Sequence, residues 1–468
     1  MFEIAEIAAV TGGRVIGGFQ GAVSGVSTDS RSVAAGELFV PLAGERFDGH
    51  DFIASLSAAG VSVSLASEGW LASHEAGGVP CCIAVADTLR ALGDLAAAYR
   101  KRFRLTMFGV TGSNGKTTTK EMLAAIMATT GEGLKTSGNL NNLIGLPQML
   151  FRLAPSHLWA VLEMGMSEFG EIDRLAEIAA PSIGVITNAY PAHLATLGSV
   201  AGVARAKGEL FLRLPLGGTA VYNADDPLIA ACRSPQGVKR IGFGLHGADV
   251  TASAIRNMGK DGQEFTLEIF GAKAEVVLHA FGRHNIYNAL AAAAAATAAG
   301  IPLEGIVAGL GAFTPYDKRF KLEDLGVVVL IDDSYNANPA SVAAALLTLR
   351  ELKGEKRGIA VIGDMLELGG ESESAHRDVG QLAATCVDRL YLYGGLARVS
   401  ARAALDAGMS PDEVVVADSR EEIVADIIRD HLDGDYIMVK GSRGMRMDLV
   451  AGALRENFSG REYAGGRA

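Results

Sequence analysis

Apolar residues in this chain gather in short unbroken runs instead of alternating with polar ones. Leu105–Val110, Leu158–Leu162, Ile183–Thr187 and Thr219–Tyr222 form one series. Val327–Ile331, Gly358–Ile362, Arg389–Tyr393, Glu413–Val416 and Tyr436–Val439 form a second. Such runs predict strands of parallel sheets that are covered by helices on both faces. Helix-prone stretches lie between them, including Thr118–Met127 and an Ala-rich stretch opening at Gly282. Each series therefore predicts an α/β doubly wound sheet. Ahead of them lie shorter strand-like pieces at 37–42 and 82–86 and a helical stretch, Leu89–Tyr99. The basic cluster Arg100-Lys-Arg-Phe-Arg marks a boundary. The expectation is three α/β units: residues 1–103, a central parallel-sheet unit over 104–313, and a Rossmann-like unit over 314–468.

Polar residues cluster just after the runs, where parallel sheets bind ligands. The richest cluster is Gly109-Val-Thr-Gly-Ser-Asn-Gly-Lys-Thr, set between a strand-like run and a helix. Gly112 and Gly115 let the backbone curl with its N–H groups inward. Lys116 can reach the β- and γ-phosphates of a nucleotide, Thr117 can ligate Mg²⁺, and the helix presents its positive end to the anion. Val110 stands where the generic phosphate-loop pattern has its first glycine.

Composition narrows the class. The chain has 468 residues, 49% of them hydrophobic, which fits several packed domains and excludes a disordered chain. A net charge of −11 argues against a general nucleic-acid binder but leaves room for a local phosphate pocket. Cys81, Cys82, Cys232 and Cys386 have no metal-ligand spacing and read as buried thiols in a reducing compartment. Met1–Val10 lacks the pattern of a signal peptide, and the longest apolar tract, Ala289–Ala299, is too short for a bilayer. A cytoplasmic monomer with no membrane insertion is expected.

Other candidates are open on residue type alone. Glu163 and His193 follow strands and read either as metal ligands or as a solvated carboxylate and a cap or core histidine. Lys207, alone on a helix, reads as a surface charge. Asn285 and Asn288 share a helix face and suit either nucleotide recognition or capping. Asp332-Asp-Ser-Tyr-Asn-Ala-Asn-Pro ends an apolar strand and suits ribose recognition or a plain strand-to-helix turn, and Lys440-Gly-Ser-Arg follows the final strand and suits anion recognition or a solvated basic loop.

Taken in order, Thr111-Gly-Ser-Asn-Gly-Lys-Thr-Thr, Glu163, Asn188…His193-Leu, Lys207 and Gly282-Arg-His-Asn-Ile-Tyr-Asn resemble the Mur ligases. These are ATP-dependent amide-forming enzymes of peptidoglycan precursor synthesis. Ser27-Thr-Asp-Ser-Arg and the stretch 39–53 are similar to the family's UDP-binding domain. Four stretches, at 139–147, 333–339, 363–369 and 439–447, resemble the branch that joins D-alanyl-D-alanine to UDP-N-acetylmuramoyl-tripeptide. The sister enzyme adding the third amino acid would show Tyr-Ala-His-x-Pro and Gly-x-Gly-His-Glu, and neither is present.

The resemblance implies roles by position. Thr111, Gly112, Ser113, Asn114, Gly115, Lys116, Thr117 and Thr118 would cradle ATP. Thr117, Glu163, His193 and Lys207 would serve two Mg²⁺ ions, with Lys207 carbamylated. Asn285, Asn288, Arg319 and one of Asp332 or Asp333 would embrace the adenosine and phosphates. Asp29, Ser30 and Arg31 would lie near the uridine diphosphate. Asn139, Asn142, Tyr335, Asn336, Asn338 and Arg443 would lie near the peptide substrates. Lys116, His193, Lys207 and Arg319 would carry catalysis. Three positions depart from the family pattern: Ala195-Thr196 replaces Glu-Gly, Lys318 replaces glycine, and Asp448 replaces Glu.

Overall fold

The computed structural model describes residues 1–19, 21–44, 47–74 and 81–459. Glu45 and Arg46 of the UDP-domain-like stretch lie outside the described residues. Among those described, the longest sheet has nine strands. Its order is Ala272–Leu278, Gln263–Ile269, Val250–Asn257, Lys239–Phe243, Thr219–Asn223, Ile183–Ile186, Thr106–Thr111, Trp159–Glu163 and Gly133–Lys135. Pairing is parallel from Gly133–Lys135 to the first residue of Val250–Asn257, then antiparallel.

The parallel strands are buried on both faces, which is why their sequences are apolar throughout. On one face lie the helices Lys116–Met127, Arg283–Ala298 and Leu303–Gly311. The run from Ala289 to Ala296 is completely buried; its small side chains fit a helix pressed between others. Gly309 lets Leu303–Gly311 reach the backbone at Ile126, where a Cβ would overlap it. On the other face lie Gly145–Leu150, Glu171–Ala179 and Val200–Leu212.

A second sheet has the order Lys321–Asp324, Val328–Asp333, Asp435–Lys440, Gly358–Gly363, Arg389–Tyr393 and Val414–Ala417, parallel except for its first pair. Buried clusters cover both faces here too. The N-terminal region forms a five-stranded sheet and a small two-stranded one. The α/β expectation holds, and the strand ends move by a residue or two. The antiparallel strands from Val250 to Leu278 are an addition to what the apolar runs marked out. The middle one, Gln263–Ile269, alternates, with Phe265, Leu267 and Ile269 buried and the residues between them only partly so. No helix among the described residues is long and apolar enough to cross a membrane.

Candidate active site

Strand Thr106–Thr111 lies between Ile183–Ile186 and Trp159–Glu163, although the chain visits an edge strand before returning to its side. Its carboxyl end is thus a point where strand order reverses, and a crevice opens there. The loop that follows turns at Gly112 (φ +151°) and Gly115 (φ +82°). A Cβ at Gly112 would overlap the Thr187 hydroxyl, and one at Gly115 the Asn288 carboxamide. Only glycine meets both demands.

The loop borders a cavity of about 1000 Å³ that is walled by both large sheets. Lys116 folds back, donating from Nζ to the carbonyls of Gly112 (2.8 Å) and Ser113 (3.3 Å). Burial lowers its pKa, while the nearby Glu163 carboxylate opposes that effect. Thr117 Oγ1 donates to Glu163 Oε2 at 2.9 Å and accepts from the Arg319 guanidinium at 3.1 Å. Asn141 Nδ2 donates to Glu163 Oε1 at 2.8 Å. Glu163 is 3% exposed and paired with no lysine or arginine among the described residues. A buried carboxylate held by two neutral donors fits a cation in the cavity.

Lys207 is 3% exposed, so the surface reading of this residue falls. Burial, and secondarily the charge of Lys116, hold its pKa well below that of an ordinary lysine. His193 stands just before the short helix Leu194–Leu197 in a left-handed conformation (φ +51°), its side chain making no cap hydrogen bond among the described residues, and its Nδ1 lies 3.3 Å from Glu367 across the cavity. Burial lowers its pKa, and Glu367 counters this. Among the described residues no three His, Cys, Asp or Glu side chains are gathered as a ready-made metal cage. Mg²⁺ commonly takes only one or two carboxylates and completes its shell with phosphate and water, so the donor set still fits it.

The second sheet supplies the facing wall. Asp333 accepts from Lys440 Nζ at 2.6 Å and from Phe320 N at 3.1 Å, and borders the cavity. Asp332 does not: it accepts from Ser334 and from Arg455. Strand alternation turns neighbouring side chains to opposite faces, so of the two aspartates only Asp333 faces the cavity. Thr111 also stands apart from the cavity. Its hydroxyl donates to Met164 O at 2.8 Å.

Asn285 and Asn288 are buried side by side, Asn288 Nδ2 donating to Asn285 Oδ1 at 2.9 Å. Asn139, Asn142, Tyr335, Asn336, Asn338 and Arg443 all border the cavity, as do Ser113, Asn114 and Thr118. Asn142 caps the backbone N–H of Gly145, and Asn338 caps helix Pro339–Lys353. Asp29 and Arg31 pair with each other on an exposed loop outside the cavity. Next to them, Thr28 accepts from Gln148 of the central unit at 2.8 Å.

Two departures from the family pattern turn out to be partners. Lys318 adopts φ +59°, the left-handed region that explains the usual glycine. Its ammonium pairs with Asp448 at 3.1 Å. Arg319 still reaches Thr117 and stacks on Tyr335, its carbon 3.9 Å from the ring centre. Its Nε is buried with no partner among the described residues, a donor left for something entering the cavity. Sequence reasoning gave no role to Asn141, His284 and Glu367. Of these, Asn141 had the clearest signal, since it lies inside a stretch already singled out.

Comparison with known proteins fits this geometry. Residues 22–100 match the Mur ligase family catalytic domain, 110–296 the Mur ligase middle domain, and 318–443 the Mur ligase glutamate ligase domain. The chain belongs to the Mur ligase family. This Mur ligase is 38% identical over 441 residues to the UDP-N-acetylmuramoyl-tripeptide–D-alanyl-D-alanine ligase of Bacillus subtilis, with 94% of each chain covered. It is also similar to the crystal structure of MurF from Acinetobacter baumannii (TM-score 0.88, 33% identity, 97% of this chain and 99% of that one). MurF from Thermotoga maritima, solved with ADP, matches at TM-score 0.83 and 27% identity over 92% and 97% of the chains.

Proposed function

We propose that this Mur ligase joins D-alanyl-D-alanine to UDP-N-acetylmuramoyl-tripeptide, consuming ATP and releasing ADP and phosphate. The observation that carries the reading is the 38% identity to a ligase of that activity over nearly the whole of both chains. The cavity geometry supplies the chemistry. A carboxylate is a poor electrophile, so it must first be phosphorylated, and the amine then displaces phosphate to form the amide.

Each residue has a role on this reading. The backbone N–H groups between Gly112 and Thr118 wrap the nucleotide phosphates. Lys116 leaves the loop carbonyls and follows the transferring phosphoryl group. Arg319 offers its unpaired Nε to the same charge. Asp333 and the Asn285–Asn288 pair hold the nucleoside side. Bound Mg²⁺ would neutralise phosphate charge, with Thr117, Glu163, His193 and Lys207 as the residues to hold it. Lys207 serves after its neutral amine attacks CO₂: a C–N bond forms, one C=O pair moves to oxygen, and a proton leaves to solvent. The carbamate so made is an anionic oxygen ligand. Burial, by favouring the neutral amine, prepares the lysine for that attack.

Residues 1–103 would then hold the uridine nucleotide through Asp29, Ser30 and Arg31, residues 104–313 the ATP, and residues 314–468 the incoming dipeptide. Tyr335, Asn336 and Arg443, with Asn139 and Asn142 opposite, would line the path of the peptide ends.

The test is ATP-dependent phosphate release with UDP-N-acetylmuramoyl-tripeptide, with and without D-alanyl-D-alanine. Free D-alanine is one control; UDP-dipeptide with L-lysine or meso-diaminopimelate is another. Release only with the tripeptide and D-alanyl-D-alanine, and a pentapeptide product by mass, is the expected result. Release with the dipeptide and a diamino acid would move the protein to the preceding step. ATP binding without release under any pair would leave a non-catalytic nucleotide binder.

A further inference from the structure

Lys120 is a fully buried lysine (0% exposed) that the reaction as described does not use. It sits one helical turn after Lys116, but its side chain serves a different place. Its Nζ donates to the Thr136 carbonyl at 2.7 Å and pairs with Glu121 at 2.8 Å. It also lies 5.4 Å from the centre of the Tyr316 ring. Glu121 is shared with Lys135 on its outer side. Burying an ammonium costs several kcal/mol before its partners repay it. Such a group persists where its partners are well placed, and here the key partner is Thr136.

Thr136 is itself buried and held at three atoms. Its N–H donates to Val161 O at 3.1 Å, its hydroxyl accepts from the Glu163 N–H at 2.9 Å, and its carbonyl accepts from Lys120. The loop it starts returns at Asn141, which holds the Glu163 carboxylate from the other side and accepts at its own carbonyl from Gly165 N at 2.8 Å. The loop from Thr136 to Asn141 thus grips both backbone and side chain of Glu163. Lys120 anchors the first peptide of that grip.

We infer that Lys120 is a positioning residue for the divalent cation: through Thr136 it fixes the aim of the Glu163 carboxylate. The inference rests on the reading of Glu163 as a cation-holding residue. Outer partners of metal ligands typically alter affinity about 10–100-fold when removed.

The experiment is Mn²⁺ binding to the full-length protein in the presence of saturating ADP, read by electron paramagnetic resonance, with ADP affinity measured separately in chelator. Lys120→Met should weaken Mn²⁺ binding by about tenfold or more and leave metal-free ADP affinity unchanged. Thr136→Val, a near-isosteric change that removes the hydroxyl, should do the same and covers the case in which Lys120→Met does not fold. Lys135→Met removes the outer partner of Glu121 without touching Thr136 and should bind Mn²⁺ normally. Lower thermal stability with wild-type Mn²⁺ affinity in both Lys120→Met and Thr136→Val would overturn the inference. Glu163→Gln separates the two levels. If it loses Mn²⁺ while the other two variants keep it, only the positioning role fails. If Glu163→Gln itself binds Mn²⁺ normally, the cation reading of Glu163 fails and the inference with it.

Discussion

Replacing Asn338 by serine should separate the docking of the two large units from the stability of either. Asn338 caps helix Pro339–Lys353, its Oδ1 accepting from Ser341 N at 2.9 Å. The same carboxamide clasps the phosphate loop: its Nδ2 donates to Asn114 Oδ1 at 2.6 Å, and its Oδ1 accepts from Asn114 Nδ2 at 3.2 Å. Asn114 is pinned behind by its own N–H on Asn188 Oδ1 and by Thr187 Oγ1 on its carbonyl. Serine is as good a cap as asparagine but too short to reach Asn114. Two neutral hydrogen bonds are each worth about 0.5–1.5 kcal/mol net. Both residues are only part-buried, so water replaces part of the loss, and about 1–2 kcal/mol remains. That corresponds to roughly 5–30-fold in the equilibrium that brings the second sheet onto the loop. Steady-state phosphate release should show this factor in kcat/KM for ATP, with the melting temperature of Asn338→Ser close to wild type. Asn338→Ala should show the same kinetic defect and a further loss of about 1 kcal/mol from the missing cap. In a double-mutant cycle, adding Asn114→Ser to Asn338→Ser should cost little more. Wild-type kcat/KM in Asn338→Ser, or fully additive losses in the cycle, would refute the clasp.

Four further outcomes follow from the same geometry. Lys116→Ala should lower phosphate release by at least about a hundredfold, the scale for removing a transition-state charge stabiliser, and near-normal turnover would remove the phosphate-loop assignment. Lys207→Ala should be severely impaired and partly rescued by added short carboxylates that replace the carbamate; a neutral phenotype would end the carbamate reading. Lys440→Met leaves the Asp333 carboxylate without its buried cation and should lower unfolding free energy by about 3–5 kcal/mol in urea titrations. His284 is pushed down to about 4, chiefly by burial, so it is neutral in the folded protein. Above its ordinary value of 6.5 it therefore has no effect on stability. As pH falls from there toward 4 the unfolded chain takes up the proton first, and stability is lost. The ring is partly exposed to the cavity, so about 1–2 kcal/mol is expected over that window, and His284→Gln should flatten the slope there.

How far the sequence revealed this molecule depends on what each element asks of its residues. Parallel strands such as Trp159–Glu163 are buried on both faces, so the demand for apolar side chains falls on every position and the run is plain to see. In Val250–Asn257 only Val250 and Ala252 are buried, so there is almost no run to see. Gln263–Ile269 does carry a readable signal, but its period is two, and a search for unbroken runs passes over it. The phosphate loop was legible because its glycines are forced by backbone geometry that no other residue meets. Which of Asp332 and Asp333 faces the cavity was not, since strand phase fixes that and adjacent identical residues do not reveal the phase.

The two buried lysines of the central unit mark the boundary of what residue type can tell. Lys120 and Lys207 are both helical, both almost inaccessible, and indistinguishable as letters. Small neighbours such as Gly202, Ala204, Ala206 and Gly208 hint that the second lies in a packed helix, yet they do not tell its charge. The difference lies in what long-range contacts bring to each ammonium. Lys120 receives a carbonyl and a carboxylate, which suit a permanent cation. Lys207 has no hydrogen-bond or ion-pair partner among the described residues and faces the repulsion of Lys116, which suits a group that gives up its proton. On the readings proposed above, one fold uses the same side chain in opposite senses: a charge that aims a carboxylate, and an amine that becomes an anion.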